Sequence, residues 1–333
     1  MKFIIKSQIR LPKRKKDSHK GDNGLVLVVG GSKNFVGAVT LAGLAALRSG
    51  CDLVKIIAPE KVAWAINAYS PDLVTIKLKG DFFKLNHFGI IKNSMEKFDV
   101  LLIGNGMDLK NETKRLVKKT IKNIKKFKII DADAIKSISM DDVENSIITP
   151  HAKELEIFLK NSKIKKSIIN KINKEKNSQK KSKLIKKITQ KFLDKNNIIL
   201  LKGKIDIIIS KNKIFYNKTG NAGMTKGGTG DVLAGLCAGF LAQSKDSAKI
   251  KNFRGAQKSL IFDMLQSAIN AAYFNGLIGD ILLKKKKGFT YLASDMVEEI
   301  KKIRTYSWTY SVPNTKQISA FFNSLPRYAA WSD

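Results

Sequence analysis

The chain has 333 residues, room for one large α/β domain or two ordinary ones, and 43% of them are hydrophobic, enough for a substantial core. Lys and Arg number 62 against 28 Asp and Glu, a formal net charge of +34. No apolar run reaches bilayer length and the N-terminus lacks the apolar stretch of a secretory signal, so a cytoplasmic protein with no membrane partner is expected.

Residues 1–17 read as a basic lead-in, ending at the polar stretch from Ser18 to Asn23. Leu25 to Val29 is a β-branched apolar run bounded by glycine, the pattern of a strand buried on both faces. It feeds Gly30-Gly31-Ser32, a small-residue helix from Gly37 to Ser49, and a second strand from Leu53 to Ala58, which makes a βαβ unit. The glycines do not form G-x-G-x-x-G, so a nicotinamide dehydrogenase is not supported. Strands at Val100–Ile103, Lys128–Ile130, Ser146–Ile148 and Ile198–Leu201 follow. They close on Gly104-Asn105-Gly106, Asp131-Ala132-Asp133, Thr149-Pro150-His151 and Lys202-Gly203. Carboxyl ends of parallel strands form the ligand crevice of open sheets, so these polar ends converge on one edge. The lysine-dense stretch from Lys160 to Lys191 carries isoleucines and leucines at helical spacing and no aromatic residues. That fits solvated helix faces, and no dedicated nucleic-acid partner is expected. Ile205–Ile209 and Lys213–Tyr216 read as a terminal hairpin, and 243–260 as a surface loop. Cys51 and Cys237 lie in apolar segments and read as buried thiols, and three histidines are too few for a His-based zinc site.

The most informative stretch is Asn217 to Asp231, with glycines at 220, 223, 227, 228 and 230, running straight into an apolar helix. Glycines let backbone N–H groups close round an anion, and the helix N-terminus adds unpaired donors. A carboxylate at the mouth of such a cup repels an anion but is well placed to take a proton from a hydroxyl attacking phosphorus. The competing reading of Asp231 is a helix N-cap.

Taken in order, Ser18-His19-Lys20-Gly21-Asp22-Asn23-Gly24, Gly30-Gly31-Ser32 with Gly37-Ala38, Ile103 to Gly106, Asp131 to Ala134, Thr149 to Glu154, Lys202 to Asp206, the glycine loop, Asn275 to Asp280 and Ala293-Ser294-Asp295 resemble the ADP-dependent (S)-NAD(P)H-hydrate dehydratase family. That family is a branch of the ribokinase-like superfamily. The resemblance implies a three-layer α/β sandwich with a central, mainly parallel sheet over 18–304. It also implies repair of hydrated NADH and NADPH (NADHX and NADPHX), with ADP donating its β-phosphoryl group and leaving AMP. Asp231 would be the base, and Ala38, Gly106, His151 and Asp231 would meet the hydrated cofactor. Lys202, Gly203, Lys204, Ile205 and Asp206, with Gly227, Gly228, Thr229 and Gly230, would hold the nucleotide. Mg²⁺ is implied on the diphosphate, with Glu154 acting on it through water. The resemblance further implies a homo-oligomer, a tetramer being the expectation, and an NAD(P)H-hydrate epimerase as a separate pathway partner.

Two positions depart from the family pattern: Lys153 stands where glycine is expected, and Asn105 where proline is common. After about residue 304 lysine nearly disappears, and 305–333 reads as a tail of unknown role. A small-molecule alcohol kinase of the same superfamily would share the fold, the glycine loop and the base. Histidine after Thr149-Pro150 favours the dehydratase. A basic nucleic-acid-binding protein on a decayed kinase fold is disfavoured by the intact Gly227-Gly228-Thr229-Gly230-Asp231.

Overall fold

The computed structural model describes residues 1–308 apart from Lys13, 245–252 and Lys287, with only the backbone of 253–262 and 303–308. Nine strands form one sheet: β1 Leu25–Val29, β2 Leu53–Pro59, β3 Val74–Leu78, β4 Val100–Ile103, β5 Phe127–Ile130, β6 Ser146–Ile148, β7 Ile198–Leu201, β8 Asp206–Ile209 and β9 Ile214–Asn217. The spatial order is β3-β2-β1-β4-β5-β6-β7-β8-β9; the first seven strands in sequence are mutually parallel, and β8 and β9 form the antiparallel hairpin.

Strand side chains alternate between two apolar layers because both faces are covered. Val26 and Val28 of β1 join a core with α1 (Val36–Arg48), α2 (Glu60–Tyr69), α10 (Thr229–Ala242), α11 (Phe253–Lys285) and α12 (Ala293–Trp308). Leu27 and Val29 face the other way, into the second core. There lie α3 (Phe88–Met95), α4 (Asn111–Asn123), α5 (Ala132–Ile135), α6 (Ala152–Asn161), α7 (Lys166–Lys174), α8 (Ser178–Ile188) and α9 (Gln190–Leu193). This is the expected three-layer sandwich. On α7 and α8, Ile169, Ile172 and Ile185 are buried, with their lysines turned outward, as the periodicity implied. Small residues let α1 and α10 touch: a Cβ at Gly235 would come within 2.2 Å of the Ala42 carbonyl oxygen.

Four features add to or differ from the sequence reading. Strand β3 was not anticipated; it is an edge strand, and Val74 is exposed on it. The basic lead-in is docked: Ile4 is buried, its N–H donates to the Tyr216 carbonyl at 2.8 Å, and Tyr216 N–H donates to the Lys2 carbonyl at 3.0 Å. Further along, Asn270 Nδ2 donates to the Arg10 carbonyl at 2.7 Å, tying the segment to α11. The loop expected over 243–260 gives way at Phe253 to α11, while 245–252 lie outside the described residues. Helix α12 runs past residue 304 to Trp308; the rest of the 305–333 tail lies outside the described residues.

Candidate active site

The sheet's topological switch point lies at β1, from which the chain moves outward to β2 and later returns on the other side as β4. Two loops leave the carboxyl ends of β1 and β4 there and are joined, Gly31 N–H donating to the Asn105 carbonyl at 2.8 Å. A crevice opens at such a point in doubly wound sheets. Ala38, in the first turn of α1, and Gly106 meet on this crest. Gly106 has φ 66°, and a Cβ there would sit 2.7 Å from the Phe35 Cβ and 3.2 Å from the Ala38 Cβ. The Phe35 ring beside them is exposed.

The glycine loop is set by partners that sequence reading left without a role. Asp280 on α11 accepts from Gly220 N–H at 2.9 Å and from Asn221 Nδ2 at 3.1 Å. Tyr291 Oη donates to Asn221 Oδ1 at 2.7 Å, and Lys226 Nζ donates to the carbonyls of Phe289 and Tyr291. The Thr229 hydroxyl donates back to the Met224 carbonyl at 2.7 Å. The chain then enters α10 through Gly228 at φ 94°, a left-handed conformation that side chains resist. Gly228, not Asp231, is the N-cap; Asp231 is the third residue of the first turn. The N–H groups of Thr229, Gly230 and Asp231 have no carbonyl four residues back in the helix, so they are open to an anion. A Cβ at Gly227 would meet nothing within 4 Å, so packing does not require glycine there.

A chain of polar contacts runs from Asp231 to His151. Asn105 Nδ2 donates to Asp231 Oδ1 at 2.7 Å and to Asp131 Oδ2 at 3.0 Å. Asp131 Oδ1 accepts from Lys202 Nζ at 3.0 Å and from the Thr149 hydroxyl at 2.7 Å. Lys202 Nζ lies 3.7 Å from Glu154 Oε2, and Glu154 Oε1 lies 3.4 Å from His151 Nε2. Asp231 and His151 therefore share one edge of the molecule. Burial, then the nearby Asp131 carboxylate, pushes the Asp231 pKa up to about 7, against the lowering effect of Asn105 and Lys202. Burial opposes charge on Lys202, but the Asp131 and Glu154 carboxylates outweigh it and hold its pKa above the ordinary value.

His151 doubles as the N-cap of α6. Its Nδ1 accepts from Lys153 N–H at 3.1 Å and Glu154 N–H at 3.3 Å, while Glu154 Oε2 accepts from His151 N–H at 2.9 Å. Those two donors fix the proton on Nε2. Burial and the Lys202 ammonium lower the His151 pKa despite Glu154, so the ring is neutral and half-exposed at the crevice, with Nε2–H as its only donor. In the loop between β7 and β8, Lys204 is exposed, and Asp206 closes the turn by accepting from Gly203 N–H at 3.0 Å and Asn217 Nδ2 at 3.1 Å. Burial raises the Asp206 pKa to about 6. Glu154 is buried and engaged by the cap and Lys202.

Sequence reading brought Ala38, Gly106, His151, Lys202, Glu154 and Asp231 to one edge, and the structure places them there. It gave no role to Asp131, Asn105 or Asp280. Asp131 and Asp280 were quoted within motifs, and Asn105 was noted between two glycines at a strand end and as a departure from the family's proline.

The family model for NAD(P)H-hydrate dehydratase matches residues 26–302. The chain belongs to the NAD(P)H-hydrate dehydratase family. Among the dehydratase relatives, the bifunctional NAD(P)H-hydrate repair enzyme of Methanocaldococcus jannaschii is 37% identical over 302 residues, covering 88% of this chain and 50% of its own length. The chain thus spans about half the length of the first curated relatives it matches. The ADP-dependent (S)-NAD(P)H-hydrate dehydratase of Cenarchaeum symbiosum is 32% identical over 301 residues, 88% of this chain and 92% of the relative. A solved ribokinase-like superfamily protein from Enterococcus faecalis superposes with TM-score 0.71 at 24% identity, covering 94% of this chain and 97% of that one. An ADP/ATP-dependent NAD(P)H-hydrate dehydratase from Bacillus subtilis, co-crystallised with ATP and Mg²⁺, gives 0.63 at 23%, over 88% and 94%. At those identities the structural likeness establishes the ribokinase-like fold alone. Among the described residues, no helix of this dehydratase family member is long and apolar enough to cross a membrane.

Proposed function

We propose that this protein dehydrates the S-form of hydrated NADH and NADPH, using ADP as phosphoryl donor and releasing AMP and phosphate. The observation that carries the reading is Asp231. It is a carboxylate of raised pKa placed at the open first-turn amides of α10, beside the glycine bend. A phosphate-binding cup with a base at its lip suits phosphorylation of a hydroxyl. The relatives' names supply the substrate.

Hydroxide leaves a ring carbon poorly, and phosphate leaves well. Asp231 takes the proton of the substrate hydroxyl as its oxygen bonds to the β-phosphorus of ADP and the bridge to the α-phosphate breaks, releasing AMP. The phosphorylated hydrate then loses phosphate as the ring nitrogen supplies electrons, and loss of a proton from the adjacent ring carbon restores the dihydronicotinamide. The amides of Gly227 to Gly230 meet charge on the transferring group. Lys202 lies close to them, since a Cβ at Gly230 would sit 3.3 Å from its Nζ. The Lys202–Asp206 turn would take the nucleotide, with Asp206 shaping the turn. Ala38 and Gly106 would let the flat ring approach the backbone, and His151 Nε2–H would donate to the substrate.

Among the described residues no cluster of three His, Cys, Asp or Glu is arranged to cage a metal. The donor set nevertheless fits Mg²⁺ delivered on a diphosphate, which keeps its waters and needs only a carboxylate or two nearby. Glu154 would hold it through water, and the ion would neutralise charge on the diphosphate. The reading also includes a homo-oligomer, with a tetramer as our choice, an NAD(P)H-hydrate epimerase activity supplying the S-form as pathway partner, and action in the cytoplasm.

The sequence of the Lys202–Asp206 and Gly220–Asp231 motifs shows no extra lysine or arginine motif reserved for a third phosphate, so ADP should place its β-phosphorus against the hydroxyl and ATP should sit out of register. The test is turnover of hydrated NADH with each nucleotide, alongside a panel of small alcohols. The reading predicts Mg²⁺-dependent recovery of dihydronicotinamide absorbance, fastest with ADP, with one AMP per turnover. A stable phosphorylated alcohol and no action on hydrated NADH would establish the kinase alternative.

A further inference from the structure

Two carboxylates that face each other in a partly dry site ordinarily share a proton, and the shared proton disables whichever of them must act as a base. Asp131 and Asp231 do not meet directly: the Asn105 amide stands between them, its Nδ2 at 3.0 Å from one and 2.7 Å from the other. The orientation of the amide is fixed by chemistry, because a carboxylate can only accept and the NH₂ end must face both.

The Asn105 side chain is not needed to hold its own turn. The backbone does that, through the Asn105 carbonyl accepting from Gly31 N–H and through Gly104 and Gly106 at φ 125° and 66°. Nor is the side chain satisfied: Asn105 is wholly buried, yet its Oδ1 has no hydrogen-bond partner among the described residues. An apolar side chain of similar volume would spare the fold an orphaned acceptor. In this chain, where the family commonly has proline, the buried amide spends both N–H bonds on two carboxylates, which points to a role in how this chain's own carboxylates are held.

We propose that Asn105 is the positioning residue of the catalytic carboxylate: its amide holds Asp231 in one orientation and keeps it from sharing a proton with Asp131. The groups facing Asp231 are then Asn105 from the β4 loop, Asp131 from the end of β5, Lys202 from the end of β7 and Glu154 from α6. Lys202 neutralises Asp131 from its far side, and Asn105 screens it on the near side. Removing the amide leaves Asp231 facing Asp131 unscreened, so the proton is held to higher pH and the base is lost near neutrality.

This inference rests on the reading of Asp231 as the base, and the experiment separates the two. Carboxyl ¹³C titration of the free protein, with Asp231→Asn used to assign the signal, is run on wild type, Asn105→Leu and Asn105→Ala. Asp231 should titrate roughly one pH unit higher in both Asn105 variants. The acid limb of turnover should move with it, and the rate near neutrality should fall on the order of tenfold. ADP affinity should stay within about twofold, because the amide does not face the nucleotide amides, and the stability of Asn105→Leu relative to wild type should fall as pH rises through the Asp231 pKa, since the higher folded pKa costs stability once the carboxylate ionises. An unchanged Asp231 titration in whichever Asn105 variant folds overturns the inference. A shifted titration in a protein with no action on hydrated NADH upholds it and refutes the substrate reading instead.

Discussion

Replacing Asp231 with Asn keeps size and shape but removes both the charge and the base, and it should raise stability while abolishing most turnover. The Asp231 pKa rises from 3.8 unfolded to about 7 folded, with burial as the main cause and Asp131 second. Roughly three units at about 1.4 kcal/mol each set a ceiling of about 4 kcal/mol on the cost of holding this carboxylate charged. The side chain is partly open to the crevice, so screening brings the expected value nearer 2 kcal/mol. An acid whose folded pKa is raised binds its proton more tightly folded than unfolded, so stability is full below the unfolded pKa and is lost as pH rises through the folded one. Paired urea unfolding of wild type and variant should therefore show no difference near about pH 4, a gap opening through about 7, and a plateau of about 2 kcal/mol in favour of Asn. Turnover of the variant should fall by at least roughly a hundredfold. A variant less stable than wild type at alkaline pH would refute the reasoning, because the carboxylate would then be a favourable first-turn charge on α10 and not a poised base.

His151→Ala should weaken binding of the hydrated cofactor, measured by calorimetry with and without ADP, while ADP affinity stays nearly unchanged; loss of the α6 cap should cost about 1 kcal/mol in urea unfolding. Lys202→Met leaves Asp131 and Glu154 buried without their shared ammonium, so it should destabilise by about 3 kcal/mol and weaken ADP binding together. Gly227→Ala should unfold like wild type yet bind ADP more weakly, since its Cβ enters open space where the phosphate is expected. Gly228→Ala should lose at least about 1 kcal/mol, since φ 94° and contacts at 2.7 Å to Ala293 and Leu41 oppose a side chain. Wild-type turnover should rise with pH through about 7 as Asp231 ionises, and a flat profile across that range would mean another group limits the rate.

The strands buried on both faces were legible because nothing competes with their signal: Leu25–Val29 and Ile198–Leu201 are unbroken apolar runs whose glycine or polar ends mark the crevice edge. Strand β3 was missed because Val74-Thr75-Ile76-Lys77-Leu78 is half-exposed at the sheet edge, where Val74 faces solvent and Lys77 stacks on Trp64. The docking of the lead-in was not legible because its lysines hide the apolar residues that anchor it, Ile4 beside β9 and Ile9 and Leu11 against the first core. At the site, the glycine loop announced itself, and the residues that cross to it from elsewhere did not. Asn105 and Asp131 are 26 residues apart, and Asp231 is 126 from Asn105, so only the sheet order brings the three together. Asp280 works on the loop from 60 residues away; it closes the Asn275–Asp280 motif, but nothing local says that it holds the glycine loop.

The central claim is that the substrate hydroxyl is phosphorylated before it leaves, with Asp231 as its base. Hydrated NADH carrying ¹⁸O in that hydroxyl, turned over with ADP and Mg²⁺, tests this directly by mass analysis of the phosphate released. The account predicts that the label appears in inorganic phosphate, because the oxygen that attacks phosphorus departs with it when the ring carbon releases the leaving group. Label in water, with unlabelled phosphate, would mean that ADP hydrolysis and dehydration are separate events and would contradict the account.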